Sequence, residues 1–299
     1  MKTLAARVPL AAVLAFVGGT AAVVVTDPAG SATDRLCERH PDHRRCAEPT
    51  TAVTATTRTT TTTTTTTPTG FLFADEFNGP GLDTSKWWVV PWCENDNNES
   101  YNCKNANNAF APGDGYLHLR ASAGTMGRPT DGAEIDTFQP TAWPPSVVLW
   151  STPPPVHMEA RIKYAPGAGL WGAFWPMGRS ATPWEMDVSE IRGAYPTAAE
   201  CHFHTWNSST ETSPSVTGRA PTSLDTTADF HVYWADYTGS QVTMGVDGYT
   251  CLTASTANQP VMLRLTNRVG TPGTWGGEGG PPSTLPVDAL VDYVRVTAL

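Results

Sequence analysis

The chain has 299 residues and a formal net charge of −9, and only 16% of its residues are charged. This balance argues against a nucleic-acid partner, because proteins that bind nucleic acid present a basic face to the phosphates. It also disfavours a heavily sulfated polysaccharide, which requires a basic groove.

The N-terminus has the pattern of a secretory signal peptide. A short basic start, Met1–Arg7, precedes an apolar run, Val8–Val25, and small residues follow at Ala29–Ala32. We therefore expect residues 1–32 to be a signal peptide and the rest of the protein to be secreted. The apolar run is long enough to span a bilayer, so an uncleaved N-terminal membrane anchor is the alternative.

Residues 33–70 are predicted to form a short disulfide-clipped segment followed by a linker. The charged stretch Asp34–Glu48 contains His40 and His43, for which a solvated tail is favoured over a metal site. Thr50–Thr69 is rich in threonine and has no hydrophobic period, so it cannot bury a core. We expect it to be an extended linker whose threonines are candidates for O-glycosylation.

Six cysteines are typical of a protein from an oxidising compartment, and their spacing matches no zinc site. The sequence alone does not fix how they pair. Proximity favours Cys37 with Cys46 and Cys93 with Cys103, which leaves Cys201 with Cys251. We expect all three pairs to be structural.

Residues 71–299 have the length of one all-β domain, and they contain no convincing long amphipathic helix. Short β-rich runs recur between turn residues, and this spacing favours a two-sheet antiparallel sandwich. The predicted strands are Tyr116–Ala121, His157–Tyr164, Gly169–Met177, Glu185–Arg192, Glu200–Trp206, Phe230–Tyr237, Gln241–Val246, Val261–Thr266 and Leu290–Val296.

Three carboxylates lie within six residues of one predicted strand. Side chains alternate along a strand, so Glu185 and Asp187 share one face, whereas Glu190 would point to the other. A β-bulge at Val188–Ser189 would add one residue and bring Glu190 to the same face. Read alone, the stretch is also compatible with a solvated acidic edge strand.

The pattern E-x-D-x-x-E, together with ordered motifs on both sides, resembles glycoside hydrolase family 16, in its laminarinase-like branch that carries the bulge. The resemblance covers nearly all of residues 71–299 and implies a concanavalin A-like jelly-roll sandwich with an open concave cleft for a polysaccharide. The motifs that carry it are Ala74–Gly79, Leu82–Trp87, Asn97–Glu99, Glu159–Lys163, Gly169–Trp175, Phe230–Tyr233, Val246–Gly248 and Val291–Val296.

The resemblance implies roles for the three acids in retaining hydrolysis. Glu185 would be the nucleophile and Glu190 the acid/base, with their carboxyl groups ~5 to 5.5 Å apart. Asp187 would hydrogen-bond Glu185 and, as a nearby negative charge, help to keep Glu190 protonated. No cofactor is expected for this chemistry.

Several further side chains are candidates for substrate contacts. Trp171 and Trp175 lie four residues apart on a strand, so they share a face on which sugar rings can stack. His202 and His204 also share a face, and we favour His204 as the one beside the acids. The other candidates are Asn98, Arg161, Trp184, Trp206 and Trp275, with Trp92 the weakest.

Some of these residues have structural alternatives. Arg161 is equally compatible with an ion pair to Glu159 or to a neighbour. With 11 tryptophans in the chain some must belong to the core, and Trp87 and Trp88 are predicted to be core residues.

The sequence departs from the family pattern at three places. Trp184 stands where the family usually has Gly, Gly172 where it commonly has Pro, and Tyr237 where it commonly has Trp. We expect a bulky Trp184 beside the nucleophile to reshape the substrate subsites.

Many family members also carry a structural calcium ion on the side away from the cleft. The matching positions here are Glu76, the backbone of Gly115 and Asp292, which all offer the oxygen donors that calcium prefers.

The favoured function is a secreted endo-glycosidase that acts on β-1,3- or β-1,3/1,4-glucan with retention of configuration. One alternative keeps the mechanism and changes the substrate to a galactan, or the reaction to transglycosylation. Another is a non-catalytic β-glucan-binding module. The expected partner is a polysaccharide, no protein partner is implied, and the protein is expected to be a monomer.

Overall fold

The computed structural model describes residues 70–93, 101–139, 147–148, 150–180, 183–207, 210–211, 216–221 and 223–299, which all lie within the unit Thr64–Leu299. The predicted signal peptide, the linker, the Cys37–Cys46 pair and Asn98 lie outside these residues. Within the described part of the chain, no helix is long and apolar enough to cross a membrane.

The described residues form 21 β-strands and one short 3-10 helix at Ala106–Asn108. The strands are β1 Phe73–Asp75, β2 Trp88–Val89, β3 Asn102–Lys104, β4 Ala109–Phe110, β5 Leu117–Ala123, β6 Thr130–Asp136, β7 Phe138–Gln139, β8 Val147–Val148, β9 Val156–Lys163, β10 Leu170–Phe174, β11 Met177–Gly178, β12 Trp184–Arg192, β13 Ala199–Asn207, β14 Thr210–Glu211, β15 Val216–Arg219, β16 His231–Tyr237, β17 Gln241–Val246, β18 Tyr249–Ser255, β19 Val261–Met262, β20 Arg264–Val269 and β21 Val287–Ala298.

The strands build two arrays. The first array has the order β4-β5-β21-β9-β16-β17-β18, with β1 also paired to β21. The second array has the order β2-β6-β20-β10-β12-β13-β15, and β11 and β19 continue β10 and β20 at one end. All of these pairs are antiparallel, and a short β5–β6 ladder joins the two arrays. The antiparallel jelly-roll sandwich is therefore confirmed; the parallel pairing of β3 with β6 is an exception to its antiparallel pattern.

The core lies between the arrays and follows the alternation of side chains along each strand. On β9, Val156, Met158 and Ile162 are buried in the core, while His157 and Lys163, on the opposite face, are only partly buried. On β12, Met186 and Val188 lie in the same core, as the sequence predicts. Burial of each such side chain contributes about 1.5 to 3 kcal/mol to folding.

Two of the three predicted disulfides fall within the described residues, and both are present. Cys93 is bonded to Cys103, and Cys201 of β13 is bonded to Cys251 of β18. The second bond ties β13, the strand next to the edge of the second array, to β18 at the edge of the first array. By restricting the unfolded chain, a disulfide of this kind contributes about 2 to 4 kcal/mol.

The structure buries only one of the two tryptophans predicted for the core. Trp87 is fully buried and packs on Phe73 and Phe77. Trp88 is only partly buried and packs on Trp92, so its assignment to the core is wrong. The reason is that adjacent residues of an extended chain point to opposite sides.

Candidate active site

The acids on β12 share one face because the strand contains a bulge. Opposite β13, Asp187 pairs with His202 and Glu190 pairs with Glu200, so a three-residue step on β12 matches a two-residue step on β13. The extra residue falls between Asp187 and Glu190, where the sequence predicts it. Glu185 pairs with His204 in the same register. We call the face of the second array that carries Glu185, Asp187 and Glu190 the acidic face.

Glu190 lies in a buried pocket beside Trp171 and His202. Glu190 is only 8% exposed, and its Oε1 accepts a hydrogen bond of 2.9 Å from Nε1 of Trp171. Nε2 of His202 lies 3.7 Å from Oε2. Burial, followed by the negative charges of Asp187 and Glu185, raises the pKa of Glu190 well above its ordinary value. The surroundings of Glu190 therefore favour its protonated form.

The two histidines of β13 flank the acids as a stacked pair. Their ring centroids are 6.0 Å apart and nearly parallel. Nε2 of His204 lies 3.2 Å from Oδ2 of Asp187. Burial lowers the pKa of His202, so a neutral imidazole stands beside Glu190. The prediction for His204 places it correctly, and His202 proves to be the histidine nearer Glu190.

Glu185, Asp187 and His204 form a compact cluster. Each offers an atom able to bind a metal, and these atoms lie within 4.8 Å of one another. Asp187 is 3% exposed, whereas Glu185 and His204 are only partly buried. The nucleophile assigned from sequence is thus the more accessible of the two glutamates.

A loop after β20 forms one wall of the pocket around Glu190. The ring of Trp275 meets Trp171 edge-on at 5.1 Å and His202 edge-on at 5.7 Å. The backbone of Gly276 has a φ of 86°, and a Cβ there would lie 2.5 Å from the Trp171 ring. Only glycine lets the loop approach Trp171 so closely.

An ion pair holds this loop against β12. Nη1 of Arg192 donates to Oε1 of Glu278 at 2.7 Å, and Oε2 of Glu278 accepts from the backbone N–H of Gly276, also at 2.7 Å. Arg192 also lies over the Trp275 ring and pairs with Glu200. Sequence reasoning missed Arg192 and Glu278. The available signal was that Arg192 lies two residues after Glu190 on the same strand face.

Trp175 also lies on the acidic face, where it packs against Arg264. Its Nε1 donates to Oγ1 of Thr266 at 2.7 Å, and the guanidinium of Arg264 lies 4.0 Å above its ring. Arg264 is bonded to Asp136 at 2.6 Å and 3.0 Å and to Glu134 at 3.1 Å. These buried ion pairs fix Trp175 as a rigid wall of the acidic face.

Trp184 does not reach the acidic face, so its assignment to substrate binding is wrong. It immediately precedes Glu185 and therefore points into the core, where it is 1% exposed. Its Nε1 donates to the carbonyl of Ala257 at 2.8 Å, and its ring packs on Tyr237 at 5.0 Å. Two departures from the family pattern, Trp184 and Tyr237, thus contact each other in the core, and the subsites are not reshaped by Trp184.

Arg161 lies on the first array and is not brought to the acids. It is 1% exposed, and its Nη1 donates to Oδ2 of Asp292 at 2.8 Å. Its guanidinium lies 4.6 Å from the ring centre of Phe230. The ion-pair alternative therefore holds, with Asp292 as the partner.

The two carboxylates assigned to calcium are each paired with an arginine in this structure. Glu76 accepts two hydrogen bonds from Arg295, at 2.9 Å and 3.0 Å, and Asp292 is bonded to Arg161. The structural calcium ion therefore stays a prediction. Gly115, the third proposed donor, contributes only a backbone carbonyl.

Two substrate candidates from the sequence remain predictions. Asn98 lies outside the described residues. Trp206 belongs to β13, but its side chain is outside the described part of the structure. Trp92 is 37% exposed and packs on Trp88.

Comparisons with known proteins agree with this geometry. Residues 156–271 match the family model described as glycosyl hydrolases family 16. The chain is 30% identical over 165 residues to the beta-glucanase of Rhodothermus marinus, a match that covers 47% of this chain and 56% of that protein. It is 26% identical over 261 residues to glucan endo-1,3-beta-glucosidase A1 of Niallia circulans, covering 75% of this chain and 37% of that protein.

Solved structures with a similar fold include a laminarinase. The laminarinase of Rhodothermus marinus superposes with a TM-score of 0.64 at 24% sequence identity, over 77% of this chain and 97% of that structure. The chain spans about half the length, or less, of the curated relatives it matches. Together with the bulged acidic strand, these matches show that residues 156–271 are similar to glycosyl hydrolases family 16 and that the fold is that of a laminarinase.

Proposed function

We propose that the protein is a secreted retaining endo-glycosidase that hydrolyses β-1,3- or β-1,3/1,4-glucan. The observation that carries this proposal is the environment of Glu190, a buried carboxyl group whose pKa is raised well above its ordinary value by burial and by Asp187 and Glu185. A carboxyl group held protonated beside a more accessible carboxylate is the arrangement that retaining glycosidases require.

The first step forms a covalent intermediate. An oxygen of the Glu185 carboxylate bonds to the anomeric carbon while the bond to the leaving sugar breaks. The electron pair of that bond goes to the leaving oxygen, which takes the proton of Glu190. The N–H of Trp171 is already placed to stabilise the new negative charge on Glu190, because it donates to Oε1 at 2.9 Å.

The second step releases the sugar. Glu190, now a carboxylate, takes a proton from water, and the water oxygen bonds to the anomeric carbon as the bond to Glu185 breaks. In the intermediate Glu185 is a neutral ester, so one of the two charges that raise the pKa of Glu190 is absent. The same residue is therefore easier to ionise when it has to act as a base.

Asp187 and His204 support both steps without bonding to the substrate carbon. Asp187 lies between the glutamates in sequence, and its Oδ2 is 3.2 Å from Nε2 of His204. The histidine fixes the orientation of this carboxylate. Asp187 in turn adds the nearby negative charge that keeps Glu190 protonated.

The glucan substrate is supported by the names of similar proteins. The related proteins include a beta-glucanase and a glucan endo-1,3-beta-glucosidase, and a structure similar to this one was obtained with laminaritriose and laminaritetraose. Trp175 and Trp275 are partly buried near the acids and offer aromatic surface to sugar rings. Trp171 is buried, contacts Arg268 and Trp275, and donates its N–H to Glu190.

Release of reducing sugar from a panel of β-1,3-glucan, β-1,3/1,4-glucan, agarose and carrageenan tests this proposal. We expect release from a glucan, with the β-anomer formed first when the products are followed by NMR. Release from a galactan would move the same mechanism to another substrate. Transfer to an added sugar acceptor would identify a transglycosylase, and binding without release would identify a non-catalytic module.

The secretion proposal has a separate test. The sequence of the first 32 residues supports export with cleavage, so mass spectrometry of the protein from culture medium should find that segment missing. Retention of the full chain in the membrane fraction would favour the N-terminal anchor.

A further inference from the structure

Trp88 lies on the acidic face although it is far from Glu185 in the array. On β2 it is paired with Asp136 of β6, and the next residue, Val89, is paired with Ile135. Ile135 belongs to the core, whereas Asp136 is bonded to Arg264 on the acidic face. Because paired residues of neighbouring strands share a face, Trp88 faces the same side as Asp136.

The position of Trp88 sets its distance from the reacting bond. The second array runs β2, β6, β20, β10 with its continuation β11, and then β12. Trp88 and Glu185 are thus four strand spacings apart, or about 19 Å along the sheet. A bound substrate must extend several sugar units from the cleaved bond to reach this edge.

Trp88 and Trp92 form an aromatic pair at this edge. Their ring centroids are 4.9 Å apart with an angle of 51° between the planes, and Trp92 is 37% exposed. Trp88 is partly buried. Neither ring belongs to the hydrophobic core, so their placement is not explained by core packing.

The side chains between this pair and the acids share one face of the array, where Asp136 is buried and Arg264 and Trp175 are partly buried. Asp136 follows Trp88 across the array, then Arg264, then Trp175, whose ring lies under the Arg264 guanidinium at 4.0 Å. The side chains that cross the array thus alternate between aromatic rings and hydrogen-bonding groups. Sugars are bound by such combinations, because they offer both apolar ring faces and hydroxyl groups.

We propose that Trp88 and Trp92 form a distal binding site for a sugar unit of the glucan chain, at the far end of the acidic face from Glu190. This inference rests on the proposed function, since it places the remote part of the same substrate. The proposed site predicts that the protein prefers long glucan chains to short ones, because only a long chain reaches Trp88 and Trp92 on the β2 edge. Binding energy from this remote unit acts on the positioning of the bond to be cleaved.

Steady-state kinetics of Trp88→Ala on laminaritriose and on laminarin test the proposal. Laminaritriose is too short to span both Glu185 and Trp88, so its kcat/KM should be unchanged. For laminarin we expect kcat/KM to fall about three- to tenfold, the size of one lost aromatic contact. Trp88→Phe, which keeps an aromatic ring, should retain part of the preference.

Trp234→Ala is the matched control. Trp234 is a partly buried tryptophan on β16 of the first array, and its Nε1 is hydrogen-bonded to a backbone carbonyl as in a structural residue. Its removal should leave the ratio of the two kcat/KM values unchanged. An equal loss on both substrates in Trp88→Ala, or no loss on laminarin, would overturn the distal site.

A second measurement separates this inference from the proposed function. If the wild-type protein releases no sugar, the proposed hydrolysis fails, and binding of laminarin to wild type and Trp88→Ala is compared by isothermal titration calorimetry. Weaker binding by the variant would then support the site without the activity. Equal binding, or none by either protein, would overturn it.

Discussion

Two β-bulges in this protein each present a buried carboxylate, and the two carboxylates have opposite surroundings. In β12 the bulge turns Glu190 toward Trp171 and His202. In β21 a register shift between Val291 and Tyr293 presents Asp292, which is bonded to Arg161 at 2.8 Å. Glu190 is 8% exposed and Asp292 is 3% exposed, so burial alone does not distinguish them.

The partner of each carboxylate explains the difference. A third carboxylate, Asp288 of the first array, shows the effect of a cationic partner. Burial acts to raise the pKa of Asp288, but hydrogen bonds from Arg120 and His118 outweigh burial and lower that pKa. Glu190 receives its hydrogen bond from a neutral indole instead, so burial and like charges prevail and its pKa rises. A buried acid becomes a proton donor only where no cation neutralises it.

Replacement of the two glutamates is expected to have the largest effect. Glu185→Gln should abolish turnover, because no nucleophile remains. Glu190→Gln should lower kcat on laminarin by about 10²- to 10⁴-fold, the usual contribution of a general acid. Glu159→Gln, a partly buried glutamate on β9 of the first array, is the control and should retain full activity.

A substrate that needs no protonation sharpens this result. An aryl glucoside with a dinitrophenol leaving group departs without a proton, so Glu190→Gln should form the covalent intermediate from it at a near-normal rate. Stopped-flow measurement of the phenol burst provides the test. An equal loss on both substrates would contradict the assignment of Glu190 as the acid.

Substitutions at the two buried carboxylate sites should differ in their effect on the free energy of unfolding. Arg161→Met removes one partner of a buried ion pair with Asp292 and should lower the free energy of unfolding by about 3 to 5 kcal/mol. Glu190→Gln should not lower it at neutral pH. Urea denaturation of both variants measures the difference, and a similar loss in the two proteins would show that Glu190 is a structural residue.

The dependence of the free energy of unfolding on pH tests the same difference, and its direction follows from the raised pKa of Glu190. Glu190 has a folded-state pKa above its unfolded value of about 4.5. The folded state therefore binds the extra proton, and Glu190 destabilises the fold progressively as pH rises from 4.5 through the folded pKa. Glu190→Gln should remove this decline, so that its stability relative to wild type improves toward alkaline pH.

The loop that carries Trp275 should set the alkaline limit of activity. Glu278→Ala removes the acceptor for Arg192 and for the Gly276 N–H, so water should reach Glu190 and reduce the burial that raises its pKa. We expect the alkaline limb of the kcat/KM profile to move to lower pH. Glu159→Ala serves as the control and should leave the limb in place.

The smallest expected effect comes from the indole hydrogen bond. The Trp171 N–H favours the ionised form of Glu190 and lowers its pKa, so Trp171→Phe should move the alkaline limb to higher pH. Its direction is opposite to that of Glu278→Ala. Movement of both limbs in the same direction would show that the two variants merely loosen the fold.

The sequence was sufficient to predict the bulge of β12 because the constraint on the three acids is local. The acids must share a face, and the spacing of Glu185 and Glu190 permits this only with one inserted residue, which the structure contains. Two disulfides were also predicted correctly, Cys93–Cys103 from proximity and Cys201–Cys251 as the pair that remained. In contrast, Trp88 and Trp184 were misplaced because each was judged by residue type, although alternation from its neighbour gives its true side.

Long-range partners were beyond the reach of sequence patterns. The Arg192–Glu278 pair joins residues 86 positions apart, and no spacing rule relates them. The run predicted as one strand from Val261 to Thr266 is divided at Leu263, whose N–H is bonded to Oγ1 of Thr137. Both features depend on which segments meet in the folded chain.

The central claim is that Glu190 is held as a protonated acid by burial and by its acidic neighbours. Carbon NMR of the side-chain carboxyl, assigned by its absence in Glu190→Gln, measures this directly. We predict a titration midpoint well above 4.5 in the wild-type protein and a lower midpoint in Glu185→Gln. A midpoint at or below 4.5 in the wild-type protein would contradict the account.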